Sequence, residues 1–210
     1  MYCYKAVVFD FDGTLFDTES HERKTLAALV EQVTGCYPSE EKLLNTFGMT
    51  GPQAMQYLGC NAEQMEWVWP RWYDASVKAL ETTPMFGGIK ETILQLNARN
   101  IPLGIVTSRN IGGVRVGLCA HQMLQAFAEI VCQEDTEQHK PAPDPLLECA
   151  KRLQVEPAQL LYVGDSAVDM QCAKSADARS GLALWGTHEP ELECDFRFDR
   201  PEEILTLFQE

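Results

Sequence analysis

The chain has 210 residues, of which 45% are hydrophobic and 23% charged, ordinary globular usage that excludes a disordered or fibrous protein. With 31 acidic against 17 basic residues the formal net charge is −14, which disfavours nucleic acid or an anionic membrane as a long-range partner. No apolar run approaches the ~20 residues that span a bilayer, and the N-terminus enters a strand without room for a signal peptide, so the expectation is a cytoplasmic enzyme.

In chain order, Lys5 to Phe9 is a short apolar run with β-branched and aromatic residues, read as a buried parallel strand. It runs into FDFDGTLFDT (9–18), where two aspartates stand one position apart. Carboxylates so close repel each other and are costly to bury, so they need a partner. Between this strand and a helix at 88–99 no convincing strand occurs, and the intervening segment is read as an inserted helical subdomain over 17–83, leaving 1–16 and 84–210 as the core. Within it Leu26, Leu29, Val30 and Val33 form one stripe that Gly35 is placed to stop, and 63–69 and 71–80 read as two segments broken at Pro70. For the aromatic residues Trp67, Trp69, Trp72 and Tyr73 two readings stand, the lining of a ligand pocket and the packing of a small helical core, of which packing is favoured.

Beyond the insertion, Ile89, Ile93, Leu94 and Leu96 mark a helical face before a strand at 103–106, and a third strand is expected at 128–132. Leu146, Leu147, Ala150 and Leu153 mark another helix before a strand at 160–163, and a last strand is expected at 182–185. Strands alternating with helices predict an α/β fold with a doubly wound parallel sheet. Eight cysteines without a CxxC pair read as reduced thiols and not as zinc ligands or disulfides.

Ligands of such sheets sit beyond the carboxyl ends of the strands, which is where the chemically capable residues fall. Asp10 and Asp12 follow the first strand, Thr107 and Ser108 the second, and Asp165 the fourth, while Lys140 lies in the loop HKPAPDP (139–145). In GDSAVD (164–169) Asp165 and Asp169 are one helical turn apart, a spacing compatible with a hard-cation site. Four aspartates against one lysine leave a net −3 if all are ionised, so the cluster calls for a divalent cation, backbone N–H groups after Asp10 and a proton on Asp12.

These motifs, with FGGIKETILQLNARNIPLGIVTSRN, LYVGDSAVDMQCAKSADA and LALWG, resemble the haloacid dehalogenase superfamily, in its phosphoglycolate phosphatase-like branch with a helical cap. The resemblance implies a Rossmann-like core and a Mg²⁺-dependent phosphatase acting on a small phosphorylated metabolite through an aspartyl-phosphate. It implies Asp10 as nucleophile, Asp12 as general acid and then base, Thr107 as a phosphoryl contact and Lys140 as charge balance. Mg²⁺ would be held by the Asp10 carboxylate, the Asp12 carbonyl and Asp165, with Asp169 in support. Substrate contacts are expected from Thr107, Ser108 and Arg109, and from Gly48, Met49 and Thr50 in the cap loop FGMTG (47–51). Two positions depart from the pattern. Asp177 stands where many relatives have glycine, and Glu22 stands where the branch's sugar-phosphate mutases carry histidine, with His21 one place early. A mutase, a receiver domain and a non-catalytic binding module are the competing readings; the substrate and oligomeric state stay open.

Overall fold

The computed structural model describes residues 4–46 and 49–208, with Ser20 described by its backbone alone. In chain order the elements are β1 (Ala6–Phe9), α1 (Glu19–Thr34), α2 (Glu40–Leu44), α3 (Gly51–Tyr57), α4 (Ala62–Leu80), α5 (Ile89–Ala98), β2 (Leu103–Val106), α6 (Ile111–Ala120), β3 (Glu129–Val131), α7 (Asp144–Leu153), β4 (Leu160–Gly164), α8 (Ala167–Ser175), β5 (Arg179–Ala183) and β6 (Phe196–Phe198). The strands form one six-stranded sheet in the order β3-β2-β1-β4-β5-β6, every pair parallel.

The register explains the continuous apolar runs. Side chains alternate faces along a strand, and both faces of this sheet are covered. Val7, Phe9, Leu103, Ile105, Leu161 and Val163 enter one hydrophobic cluster, while Ala6, Val8, Val106, Leu160 and Tyr162 enter another. Phe9 is level with Ile105 on one side and Val163 on the other, so the residues after these strands emerge together. The chain crosses from β3 back to β4, which makes the gap between β1 and β4 the point where strand order reverses and ligands bind.

A third cluster, built from Leu26, Ala27, Val30, Leu43, Ala54, Met55, Leu58, Cys60 and Val68, lies within α1 to α4. The α1 helix ends where its stripe predicts, with Gly35 left-handed at φ 72° and its N–H bonded to the Glu31 carbonyl. Asp177 adopts φ 56°, a conformation aspartate tolerates.

Several local expectations are corrected. Pro70 does not break the chain into two segments: α4 is continuous from Ala62 to Leu80. The proline forfeits one backbone bond, and the Asn61–Gln64 capping box with buried Val68, Ser76 and Leu80 holds the helix through it. Leu94 and Leu147 are exposed, at 52% and 41%, so each apolar helix face is narrower than its leucines imply. The fifth strand begins earlier than 182, at Arg179, because pairing with Leu161 to Gly164 sets its bounds and Asp195 ties down Ser180. The sixth strand, Phe196–Phe198, is a three-residue edge with no apolar run to announce it.

Candidate active site

The site is built where β1, β2 and β4 end. Asp10 leaves β1 with its N–H still bonded to the Val163 carbonyl at 2.8 Å, and Thr107 leaves β2 bonded likewise to Val131. Lys140 arrives from the loop before α7 and places its Nζ 2.9 Å from Asp10 Oδ1 and 2.7 Å from Asp169 Oδ1. Asp10, Lys140, Asp165 and Asp169 are all buried. Asp169 is saturated as an acceptor: Lys140 and Tyr162 donate to Oδ1, and the Ser166 N–H and hydroxyl donate to Oδ2. Asp165 takes one hydrogen bond from Thr14 at 3.0 Å.

A glycine is required at position 13. Its φ of +76° is left-handed, and a Cβ there would lie 2.3 Å from Asp165 Oδ2. The turn that follows Asp12 is therefore pressed against the Asp165 carboxylate.

Electrostatics follow from burial. Desolvation, aided by Asp169 and Asp12, raises the Asp10 carboxyl to about 7 despite Lys140. Desolvation and the neighbouring Asp169 and Asp10 push Asp165 well above the carboxylate range. Burial would raise Asp169 too, but Lys140, Ser166 and Tyr162 outweigh it and hold it low. Burial opposes the Lys140 charge, yet Asp10 and Asp169 raise its pKa. Asp10, Asp165 and Asp169 each offer a ligand atom within 4.8 Å of the others. Three buried carboxyl groups around one lysine, whose mutual repulsion a divalent charge would offset, form an all-oxygen donor set that fits a hard divalent cation. Asp10 and Asp165 hold the open oxygens, whereas Asp169 has spent its own on protein donors.

Asp12 faces a different partner. Arg109 Nε and Nη2 donate to its two carboxylate oxygens at 3.0 and 2.5 Å, and Thr18 donates to Oδ1 at 2.7 Å. The same guanidinium donates to Glu22 Oε1 at 2.7 Å and to the Ser76 hydroxyl at 2.6 Å. Burial disfavours the Arg109 charge, but Asp12 and Glu22 overcome it and raise its pKa. Arg109 thus joins the loop after β2 to α1 and α4.

Above these residues lies a cleft open to solvent. It is lined by Asp10, Asp12, Thr107, Ser108, Arg109, Lys140 and Met49, so most of the expected residues converge. Thr50 instead is buried at the start of α3, its N–H bonded to Gln53. Gly48 lies outside the described residues. Both readings of the aromatic residues are met: Trp67, Trp69 and Trp72 pack on the helical cluster as favoured, and Trp69, Trp72 and Tyr73 also line the cleft. Packing and lining coincide because α4 turns one face toward α1 and another toward the core.

Six participants were not singled out as site residues, among them Thr18, which braces Asp12, and Ser166, which braces Asp169. Thr14 and Tyr162 brace Asp165 and Asp169, and Glu22 and Ser76 brace Arg109. Glu22 drew notice solely as the position where a mutase histidine is lacking; no local pattern ties it to an arginine 87 residues away.

Comparison with known proteins accords with this geometry. Residues 7–183 match the model of the haloacid dehalogenase-like hydrolase family. A protein provisionally named pyrophosphatase PpaX from Caldanaerobacter subterraneus is 31% identical over 188 residues, covering 89% of this chain and 84% of that one. Phosphoglycolate phosphatase of Escherichia coli K12 is 38% identical over 108 residues, which is 51% of this chain and 43% of the relative. The crystal structure of a provisionally named phosphoglycolate phosphatase from Lactobacillus plantarum superimposes with a TM-score of 0.88 at 30% identity, covering 98% of this chain and 99% of that one. With its parallel sheet, its aspartates at the strand ends and this match across most of its length, the chain belongs to the haloacid dehalogenase-like hydrolase family.

Proposed function

We propose that the protein is a Mg²⁺-dependent phosphatase that moves the phosphoryl group of a small phosphomonoester first to Asp10 and then to water. The observation that carries this reading is the Asp10 carboxylate, gripped by Lys140 at 2.9 Å in the wall of an open cleft and clustered with Asp165 and Asp169. The names of the relatives, pyrophosphatase and phosphoglycolate phosphatase, fit the same chemistry.

Asp10 Oδ attacks phosphorus as the ester P–O bond breaks, and Asp12 gives its proton to the departing oxygen. A water then attacks the phosphorus of the aspartyl-phosphate, loses its proton to Asp12, and inorganic phosphate leaves as the Asp10–phosphorus bond breaks. Lys140 holds Asp10 in line and offsets charge; the Thr107 hydroxyl and Ser108 meet the phosphoryl oxygens. Asp10, Asp165 and the Asp12 carbonyl would hold Mg²⁺, which supplies positive charge to the phosphoryl oxygens. Asp169, saturated by Lys140, Tyr162 and Ser166, fixes the lysine and supports the cation indirectly.

In this reading the helices of 17–83 form a cap over a core of 1–16 and 84–210, and Met49 and the α4 aromatic residues shape the space for the leaving group. No helix among the described residues is long and apolar enough to cross a membrane, and the described cysteines are free thiols, which suits a reducing cytoplasm. The test is phosphate release from a panel of small phosphomonoesters with Mg²⁺. Release by the wild type and none by Asp10→Asn supports the reading; equal release by both overturns Asp10 as nucleophile.

A further inference from the structure

The arrangement in which Asp12 is found poses a chemical problem for the phosphatase reading. Both of its carboxylate oxygens accept from Arg109, and Oδ1 accepts from Thr18 as well. While that fork is closed, three of the four lone-pair directions of Asp12 are taken and both of its oxygens face a cation, so the carboxyl is not free to turn and present a proton to a leaving group. Turnover requires Arg109 to let go.

What could draw it away is restricted by the cleft. Its lining cations among the described residues are Lys140 and Arg109, and Lys140 is committed to Asp10 and Asp169. A guanidinium held by two parallel N–H···O bonds exchanges readily only for another anion that fits the fork, a carboxylate or a phosphate. A neutral hydroxyl offers one uncharged acceptor and is a poor replacement.

The two ends of the arginine are not equally held. The Asp12 side chain retains 25% of its exposure, whereas that of Glu22 retains 12%. Glu22 Oε2 is buried without a partner among the described residues, so Glu22 depends on Arg109 and Ser76, which both meet Oε1, for compensation. Separating Arg109 from Glu22 would strand a desolvated charge; separating it from Asp12 exposes a carboxylate that water and substrate can reach. Exchange therefore occurs on the Asp12 side, with the guanidinium retained by Glu22 and Ser76.

We infer that Arg109 is a specificity-determining residue: it occupies Asp12 until a substrate bearing a second anionic group on its leaving-group side takes the guanidinium and frees the acid. Glu22 is the positioning residue that keeps Arg109 in reach. The inference rests on the phosphatase reading and narrows it to phosphomonoesters whose leaving group is itself anionic.

The experiment compares two esters of similar size, the phosphate monoester of hydroxyacetate, which ends in a carboxylate, and that of ethylene glycol, which ends in a hydroxyl. Phosphate release with Mg²⁺ gives kcat/KM for each, and calorimetry on Asp10→Asn protein gives binding without turnover. The wild type is expected to favour the carboxylate ester, and Arg109→Gln to shrink that ratio by roughly 10- to 100-fold, the value of charge-assisted bonds to an arginine fork. Arg109→Lys, which keeps the charge without the fork, should fall between, and Glu22→Gln should shrink the ratio less than Arg109→Gln. A general structural defect would lower both esters together and leave the ratio intact. An unchanged ratio in both Arg109 variants, or no preference in the wild type, overturns the inference while phosphate release itself still supports the phosphatase reading. A binding preference that Arg109→Gln removes, without phosphate release from either ester, sustains Arg109 as the anion receptor and overturns the phosphatase reading instead.

Discussion

Gly186 packs against Gly13 so closely that a Cβ at position 186 would lie 1.7 Å from the Gly13 carbonyl oxygen. The contact joins the turn after β5 to the turn that carries Asp12, and Trp185 adds a hydrogen bond from its indole N–H to the Thr14 carbonyl at 3.0 Å. Thr14 in turn donates to Asp165. A segment far along the chain thus sets the position of the carboxylates.

Gly186→Ala is accordingly expected to displace the 13–14 turn. Overpacking of this kind costs about 1–3 kcal/mol, and denaturant unfolding should register it together with a drop in phosphate release. A variant as stable and as active as the wild type would reject the contact as a support of the site.

Lys140 compensates buried carboxylates that have no other cation within bonding distance among the described residues. Lys140→Met leaves Asp10 and Asp169 facing each other, and loss of one partner from a buried ion pair costs about 3–5 kcal/mol. Combining it with Asp169→Asn should recover part of that loss, while phosphate release stays abolished in both. Additive destabilisation in the double variant would argue against a shared network.

Mg²⁺ should stabilise the folded protein by binding it and not the unfolded chain. At a hundredfold excess over its dissociation constant the gain is about 2.7 kcal/mol, visible as a rise in Tm that EDTA reverses. Asp165→Asn should remove the rise, and phosphate release should fall in EDTA and return on adding Mg²⁺. Full activity without metal would contradict the charge argument.

The acid limb of stability should depend on Asp135 and Asp195. Burial alone would raise both, but the Cys132 N–H and Arg152 hold Asp135 low, and the Ser180 N–H and hydroxyl with Arg179 hold Asp195 low. A carboxyl with a folded pKa below its ordinary 3.8 binds fewer protons when folded, so its contribution is present above that pH and lost as pH falls through the folded value. Asp135→Asn/Asp195→Asn protein should therefore lose less stability than wild type between neutral pH and pH ~3. Parallel acid unfolding curves would contradict this.

Local chemistry made the frame of the molecule readable from its residues. Ala6 to Phe9, Leu103 to Val106 and Leu160 to Val163 are uninterrupted apolar runs because both faces of a parallel sheet are buried, and such runs need no knowledge of neighbours. Asp10, Thr107 and Asp165 could be placed together because parallel strands end at one edge. Gly35 was legible because a glycine that ends an apolar stripe marks a helix stop by type, and Asp177 because it stands where the resembled family carries glycine.

What lay beyond reach was whatever depends on a distant partner. Phe196 to Phe198 becomes a strand because β5 offers it an edge, and α4 survives Pro70 because α1 packs along it. The pairing of Arg109 with Asp12, Glu22 and Ser76 joins residues 97, 87 and 33 positions apart. Nothing in the sequence around Glu22 or Ser76 sets either apart from a solvated surface group. The charges of Arg109, Asp12 and Glu22 find one another because folding removes the water that would otherwise satisfy them, and that exchange is set by the packing of helices on the sheet and not by any short stretch of the chain.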